Sequence, residues 1–165
     1  MKTNNALRIL VLNFEYPPLG GGAAPASELI SKGYADQGHD TTVVTTHFEH
    51  LPYKETVDGI EIHRIDCNRK YKHMSGASEH VRYILQARKI IRTLHKQKPF
   101  EVCHCHFIIP TGLVALWCKY FLKIPYIITI HGSDVPGYNP DRFRWMHSLI
   151  SPVTAYIARK AAAIV

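Results

Sequence analysis

The sequence predicts an α/β domain, a parallel β-sheet with helices on both faces, and three observations carry that prediction. Stretches of strand character alternate with stretches of helical period from residue 8 to the end of the chain. Several strand segments, Ile9–Leu12 and Pro125–Ile130 above all, are apolar along their whole length, as strands covered on both sides are. The first strand also runs into Phe14-Glu15-Tyr16-Pro17-Pro18-Leu19-Gly20-Gly21-Gly22-Ala23, a glycine-rich turn that leads into a helix.

Arg8–Phe14 is the first strand. Pro17 and Pro18 fix φ and donate no hydrogen bond, which stiffens its exit. Gly20, Gly21 and Gly22 permit positive φ and close approach by a ligand. A helix follows from about Ala26 to Gln37, with Ala26, Leu29, Ile30, Gly33 and Tyr34 at helical spacing and Gly38 as its C-terminal cap. The β-branched run Thr41–Thr46 is the second strand, His47–Asp58 a loop, and Ile60–Asp66 the third strand. Cys67–Gly76 is basic and aperiodic, which predicts a mobile loop.

Ser78 is placed to cap the next helix, which runs to about Gln97 and ends before Pro99. Its Ile84, Ala87, Ile91 and Leu94 share one side, while Arg82, Arg88, Lys89, Arg92 and Lys96 fall on roughly the other, at about 100° per residue. Phe100–Phe107 is a strand, Thr111 caps an apolar helix to about Leu122, and Pro125–Ile130 is a buried strand. His131-Gly132-Ser133-Asp134 forms the loop at its end. Asp141–Leu149 is a short helix, Ser151-Pro152 opens another, and Ala161–Val165 begins a further strand.

The 165 residues suffice for one domain with a substantial core, and the 20% charged and 46% apolar fractions are ordinary for a globular chain. Phe107–Ile130 is interrupted by Pro110, Gly112, Lys119, Lys123 and Pro125, so it reads as helix then strand and not as a membrane span. Cys67, Cys103, Cys105 and Cys118 form no Cys-x-x-Cys pair, and no secretion signal precedes them. Reduced thiols in a cytoplasmic protein are expected. Cys103-His104-Cys105-His106 suggests a metal, but on a strand the thiols and imidazoles point to opposite faces and cannot converge. No metal site is expected.

The formal charge of +7 is concentrated. Arg69–Lys98 holds nine Lys or Arg against Glu79, a net +8, which leaves −1 for the rest of the chain. Such a face can be merely solvated. Five basic residues on one helix side also suit an anionic membrane, at about 1 kcal/mol for each Lys or Arg near the surface. No helix-turn-helix, RNA-binding aromatic pair or zinc finger accompanies the patch, which disfavours nucleic acid.

In such sheets ligands sit outside the carboxyl ends of the strands, near the switch in strand order. The glycine turn, His104 and His106, and His131 all fall on that edge. Backbone N–H groups at Gly20–Gly22, with a helix N-terminus behind them, suit a phosphate. His131 ends a buried strand, with Gly132 leaving room for a ligand and Asp134 near enough to orient a group. Its imidazole can hydrogen-bond a hydroxyl or move a proton. There is no G-x-G-x-x-G, and only Glu49 follows the second strand where a ribose partner is wanted, so a nucleotide-dependent oxidoreductase is disfavoured.

Four motifs in this order resemble the amino-terminal, Rossmann-like half of a retaining family 4 glycosyltransferase with the two-domain GT-B architecture. They are Pro17-Pro18 with Gly20-Gly21-Gly22; Gly38-His39-Asp40 before Thr42-Val43-Val44-Thr45; Val102-Cys103-His104-Cys105-His106; and Thr129-Ile130-His131-Gly132-Ser133-Asp134. The resemblance implies that residues 1–165 form the acceptor-side domain. A carboxy-terminal domain absent from this chain would hold most of a nucleoside-diphosphate-sugar donor, with transfer to a sugar or lipid-linked acceptor in the cleft between. It further implies His131 as the catalytic contact to the donor sugar. Gly20, Gly21, Gly22, His106, Ser133 and Asp134 are implied as substrate-binding residues, with His106 and Asp134 supporting acceptor or loop geometry. Members generally need no bound metal or other cofactor. The paired glutamates and basic residues of the donor half have no counterpart here, so the isolated chain is expected to be inactive. A different class, a non-catalytic Rossmann-like module docking on a membrane or acidic partner, stays open beside the enzyme.

Overall fold

The computed structural model describes residues 6–72, 75–134 and 151–165, and only the backbone of Ser133. Its strands are β1 (Arg8–Leu12), β2 (Asp40–Thr46), β3 (Lys54–Val57), β4 (Ile60–Ile65), β5 (Val102–His106), β6 (Tyr126–Thr129) and β7 (Ala163–Ile164). The helices are α1 (Ala23–Asp36), α2 (Ala77–Gln97), α3 (Leu113–Trp117, flanked by wider-turned Ile108–Gly112 and Cys118–Leu122) and α4, residues 151–160. The strands form one sheet in the order β3-β4-β2-β1-β5-β6-β7, parallel except for the antiparallel β3–β4 pair. From β1 the chain winds outward through β2 and β4, then returns to place β5 on the other side of β1. The switch in strand order therefore lies between β1 and β5.

Every residue of β1 is buried, and its side chains alternate between two cores. Leu10 and Leu12 join the larger one, with Tyr83, Ala87 and Ile91 of α2, Trp117 of α3 and the thiols of Cys103, Cys105 and Cys118. Ile9 and Val11 join the smaller one with Tyr16, Val43, Ile60 and Ile62, against Tyr34 and Ala35 of α1. Helices on both faces explain why β1 reads as a continuous apolar run. All four cysteines are buried free thiols.

Several expectations are corrected. The 47–58 segment is not all loop, because Lys54–Val57 pairs antiparallel with Ile60–Ile65 through a turn at Asp58 and Gly59, both at positive φ. Helix α1 begins at Ala23, and its buried residues are Ala24, Ser27 and Ser31, while Leu29 is 72% exposed. Small hydroxyl residues serve there because Ser27 Oγ accepts a 2.7 Å bond from Asn13 Nδ2, and both serines return bonds to the helix backbone. Ser78 does not cap α2. Gly76 does, and Glu79 reaches back so that its carboxylate accepts the N–H of Gly76 and of Lys70. Thr111 is likewise no N-cap acceptor, since its hydroxyl donates to the carbonyls of His106 and Phe107.

The 67–76 loop is tied down at its start by buried Cys67 and Arg69. The expected strand after Ala161 exists, with Ile127 and Ile128 of β6 beside Ala163 and Ile164. The short helix expected at Asp141–Leu149 lies outside the described residues. Among the described residues no helix is long and apolar enough to cross a membrane.

Candidate functional site

Because β1, β5 and β6 run parallel side by side, the glycine turn, His106 and His131 leave the sheet on one edge, across the switch point. Alternation in β5 sends Cys103 and Cys105 into the larger core and His104 and His106 to the opposite face. The two imidazoles stack with ring centroids 4.6 Å apart, and His106 and His131 continue the column at 5.4 Å.

Each member is held differently. His104 Nδ1 lies 2.9 Å from the Tyr34 hydroxyl and its Nε2 2.7 Å from Thr129 Oγ1. His106 Nδ1 lies 3.2 Å from His131 Nε2, while His106 Nε2 is buried without a hydrogen-bond partner among the described residues. Phe107, at φ 73°, sets its ring 4.5 Å from that of His131. The backbone N–H of His131 donates to Asp134 Oδ2 at 3.1 Å, and Ile108 N–H donates to Asp134 Oδ1 at 3.0 Å. Asp134 thus staples the 131–134 turn to the segment after β5. Ser133 lies in that turn, with its side chain outside the described part.

The column is uncharged at neutral pH. Burial, then the neighbouring His104 and His131, lowers the pKa of His106 to about 3, and burial followed by His131 lowers that of His104 to about 4. Burial also lowers that of His131, which is half-buried. His131 is therefore the member that offers a neutral imidazole to the edge. His106 is fully buried next to it, so its side chain has no surface open to a substrate.

The three glycines differ in kind. At Gly20 φ is +91°, and an added Cβ would stand 2.5 Å from Glu15 Cβ, so glycine is required there by the chain itself. At Gly21 and Gly22 an added Cβ would meet nothing within 4 Å, and Gly22 has φ −59°. Among the described residues neither packing nor backbone conformation calls for glycine at these exposed positions, which leaves open backbone for an approaching group. The Gly21 N–H already donates to Glu15 Oε2 at 3.3 Å.

Glu15 and Arg69 are residues that sequence reasoning missed. Arg69 is buried and bonds Glu15 Oε1 at 3.1 Å, Thr46 Oγ1 at 3.3 Å and the carbonyls of Tyr71 and Lys72, with its guanidinium over Phe14. Glu15 thereby bridges the glycine turn to the loop after β4. An acid two residues before Pro17-Pro18 was the available signal.

On α2, Arg82, Lys89, Arg92 and Lys96 are exposed and Arg88 is half-buried. Val81, Leu85, Arg88 and Arg92 follow one another at helical spacing, and the two valine and leucine side chains are exposed. Arg88 and Arg92 lie over the Trp117 ring at 5.1 and 5.6 Å, and Trp117 stacks on Phe121, which is 68% exposed. Basic and apolar surface therefore mingle on this face.

Two cavities, of about 380 and 600 Å³, lie elsewhere. One is between α1 and the β3–β4 hairpin, by Leu29, Lys32 and Asp58; the other is at the amino-terminal edge, by Arg8, Asp40 and Lys98. Neither includes His131 or the glycine turn. Among the described residues no group of His, Cys, Asp and Glu converges as a metal site.

Residues 21–165 match the family model described as a glycosyl transferase 4-like domain. An uncharacterized glycosyltransferase of Methanocaldococcus jannaschii is 27% identical over 128 residues, covering 78% of this chain and 33% of that protein. A glycosyltransferase of Bacillus subtilis named for teichuronic acid biosynthesis is 26% identical over 111 residues, covering 65% of this chain and 28% of its own. The chain thus spans about a third of the length of these relatives. Among solved structures, sucrose-phosphate synthase from Thermosynechococcus elongatus superposes with TM-score 0.60 at 12% identity, over 96% of this chain and 86% of that one. Acinetobacter baumannii MurG gives 0.54 at 17% identity, over 96% and 40%.

Proposed function

Since the chain belongs to the glycosyl transferase 4-like family and has the Rossmann-like fold of an amino-terminal GT-B domain, we propose that it is the acceptor-side domain of an enzyme that transfers a sugar from a nucleoside-diphosphate sugar with retention of configuration. The observation that carries this reading is His131: a neutral, half-exposed imidazole at the carboxyl end of β6, one strand beyond the β1–β5 switch, whose backbone Asp134 fixes and whose ring His106 and Phe107 hold. Ligands collect at that place in open α/β sheets. The Nδ1 side of His131 makes no hydrogen bond among the described residues, so it is available to a sugar hydroxyl or the bond being broken. The open backbone at Gly22 and the amino end of α1 suit the donor diphosphate, whose developing charge preorganised N–H groups stabilise, and Gly21 joins them once its N–H leaves Glu15. In this reading a second domain supplies most of the donor contacts, no resident metal or other cofactor is required, and the chain alone does not turn over.

The test is release of nucleoside diphosphate by the full-length protein from a panel of nucleotide sugars with sugar and lipid-linked acceptors. His131→Ala is expected to lower kcat at least about 100-fold, the scale of losing a group that acts in the transition state, with little change in unfolding midpoint. Turnover near that of the parent would overturn the assignment, and turnover by residues 1–165 alone would overturn the division of labour.

A membrane-facing role, at the cytoplasmic surface, is the second reading. The intermingling of Arg88, Arg92 and Lys89 with exposed Leu85 and Phe121 favours it over a merely solvated helix face. A module that only docks would show the same patch without turnover. Arg88→Glu, Lys89→Glu and Arg92→Glu together should weaken binding to phosphatidylglycerol vesicles, and salt should weaken binding of the parent. Equal binding of parent and variant would reduce the patch to a solvated surface.

A further inference from the structure

We propose that His106 is a positioning residue that sets the tautomer of His131, so that His131 meets its substrate as a hydrogen-bond donor through Nδ1–H and cannot act as a base. This rests on the reading of His131 as the sugar-facing group.

Two neutral imidazoles whose nitrogens lie 3.2 Å apart share one proton, and only two arrangements exist. If His131 Nε2–H donates to His106 Nδ1, then His106 carries its own proton on Nε2. That atom is buried in a side chain with no exposed surface and has no partner among the described residues, so the arrangement leaves a buried, unpaired donor. If His106 Nδ1–H donates to His131 Nε2, the buried His106 Nε2 is a bare lone pair instead. Among backbone groups an orphaned buried N–H is rarer than an under-satisfied acceptor, and we carry the same ordering over to the imidazole. The second arrangement follows.

Protonating both His106 nitrogens would escape the choice, but a cation there would be buried in contact with the rings of His104 and His131, and the depressed pKa of about 3 agrees that this does not happen. With Nε2 of His131 committed as acceptor, its single proton resides on Nδ1. The Asp134 staple and the flanking rings of His106 and Phe107 keep the ring from turning over.

His131 then offers one donor and no lone pair. It can polarise or orient a sugar oxygen, but a proton leaving the acceptor hydroxyl must go to another group.

The direct measurement is nitrogen-15 NMR of histidine-labelled full-length protein, with His131→Ala identifying the resonance. The parent should show His131 neutral with Nδ1 protonated throughout pH 6–8. His106→Leu removes the donor and should shift His131 toward the Nε2–H form. It should also lower kcat by about 10- to 100-fold, as loss of an orienting hydrogen bond does, while KM for the donor changes little. His106→Asn, whose amide N–H reaches where Nδ1 was, should restore the Nδ1–H form and much of kcat. An Nε2–H signal for His131 in the parent overturns the proposal, whatever the variants do. So does an unchanged tautomer in His106→Leu. If His131→Ala keeps its turnover, the functional reading of His131 fails, and the tautomer measurement still decides what His106 does.

Discussion

Lowering the pH should strip stability from this domain through two named histidines. His104 is 3% exposed and His106 fully buried, with pKa values of about 4 and about 3, against about 6.5 for a histidine in an unfolded chain. Their folded values are depressed, so the unfolded state takes up protons first. The contribution of each to stability is complete above about pH 6.5 and is lost as pH falls toward the folded pKa. Between pH 7 and pH 5 the loss is about 2 kcal/mol for each residue, roughly 4 kcal/mol for the pair, a large part of the 5–15 kcal/mol typical of a domain. Other histidines with lowered values, His63, His80, His95 and His131, add to the total slope, so the decisive comparison is between parent and variant. Urea unfolding of the parent and of His106→Asn, from pH 5 to pH 7.5, gives stability as a function of pH. Near pH 5.5 the variant's slope should be smaller by about 1.2 kcal/mol per pH unit, whatever its absolute stability. Identical slopes would mean that His106 is protonated in the folded protein at that pH, and the neutral histidine column would be wrong.

Three other substitutions separate structural from functional roles. Gly20→Ala forces a Cβ at φ +91° to within 2.5 Å of Glu15 and should destabilise the fold by about 1–3 kcal/mol in urea unfolding. Gly21→Ala meets only open space and should leave stability within about 0.5 kcal/mol, while lowering turnover of the full-length protein if a ligand needs that backbone. Arg69→Met strands the Glu15 carboxylate and should cost about 3 kcal/mol, the low end for breaking a buried pair because Glu15 keeps 21% of its side chain exposed. A loss below about 1 kcal/mol would show that the bridge does not hold the glycine turn.

Much of the fold was legible because the strands that build the site are read by period alone. The alternation Cys103, His104, Cys105, His106 already told which side chains share a face, and the structure places thiols in the core and imidazoles opposite. Hidden features were those decided by tertiary contact. Lys54–Val57 has only one buried neighbour strand and a mixed composition, so its pairing with β4 left no periodic trace. On α1, apolarity pointed to Leu29, whereas close helix–sheet packing at Asn13 favoured Ser27 and Ser31. Arg69 looked like one more charge in a basic loop, and only the position of Glu15 across the sheet edge makes it a buried partner. At the site, the edge was predictable from topology. That His106 meets His131 through its Nδ1 depends on how the 131–134 turn folds back onto Ile108, a contact between residues 26 apart in sequence.

The alternation in β5 also constrains how this chain can change in length. A one-residue slip of that strand would exchange its two faces at once, driving imidazoles into the packed thiol core and thiols to the ligand edge. The register is fixed at the strand's entry. Arg8 N–H donates to the Glu101 carboxylate, Glu101 N–H donates to the Arg8 carbonyl, and the Arg8 guanidinium holds the carbonyls of Leu94 and Lys98 while lying over Phe100. Insertions and deletions between Leu94 and His106 should therefore be purged even where individual residues are free to vary, because the spacing itself, counted from the end of α2, carries the site.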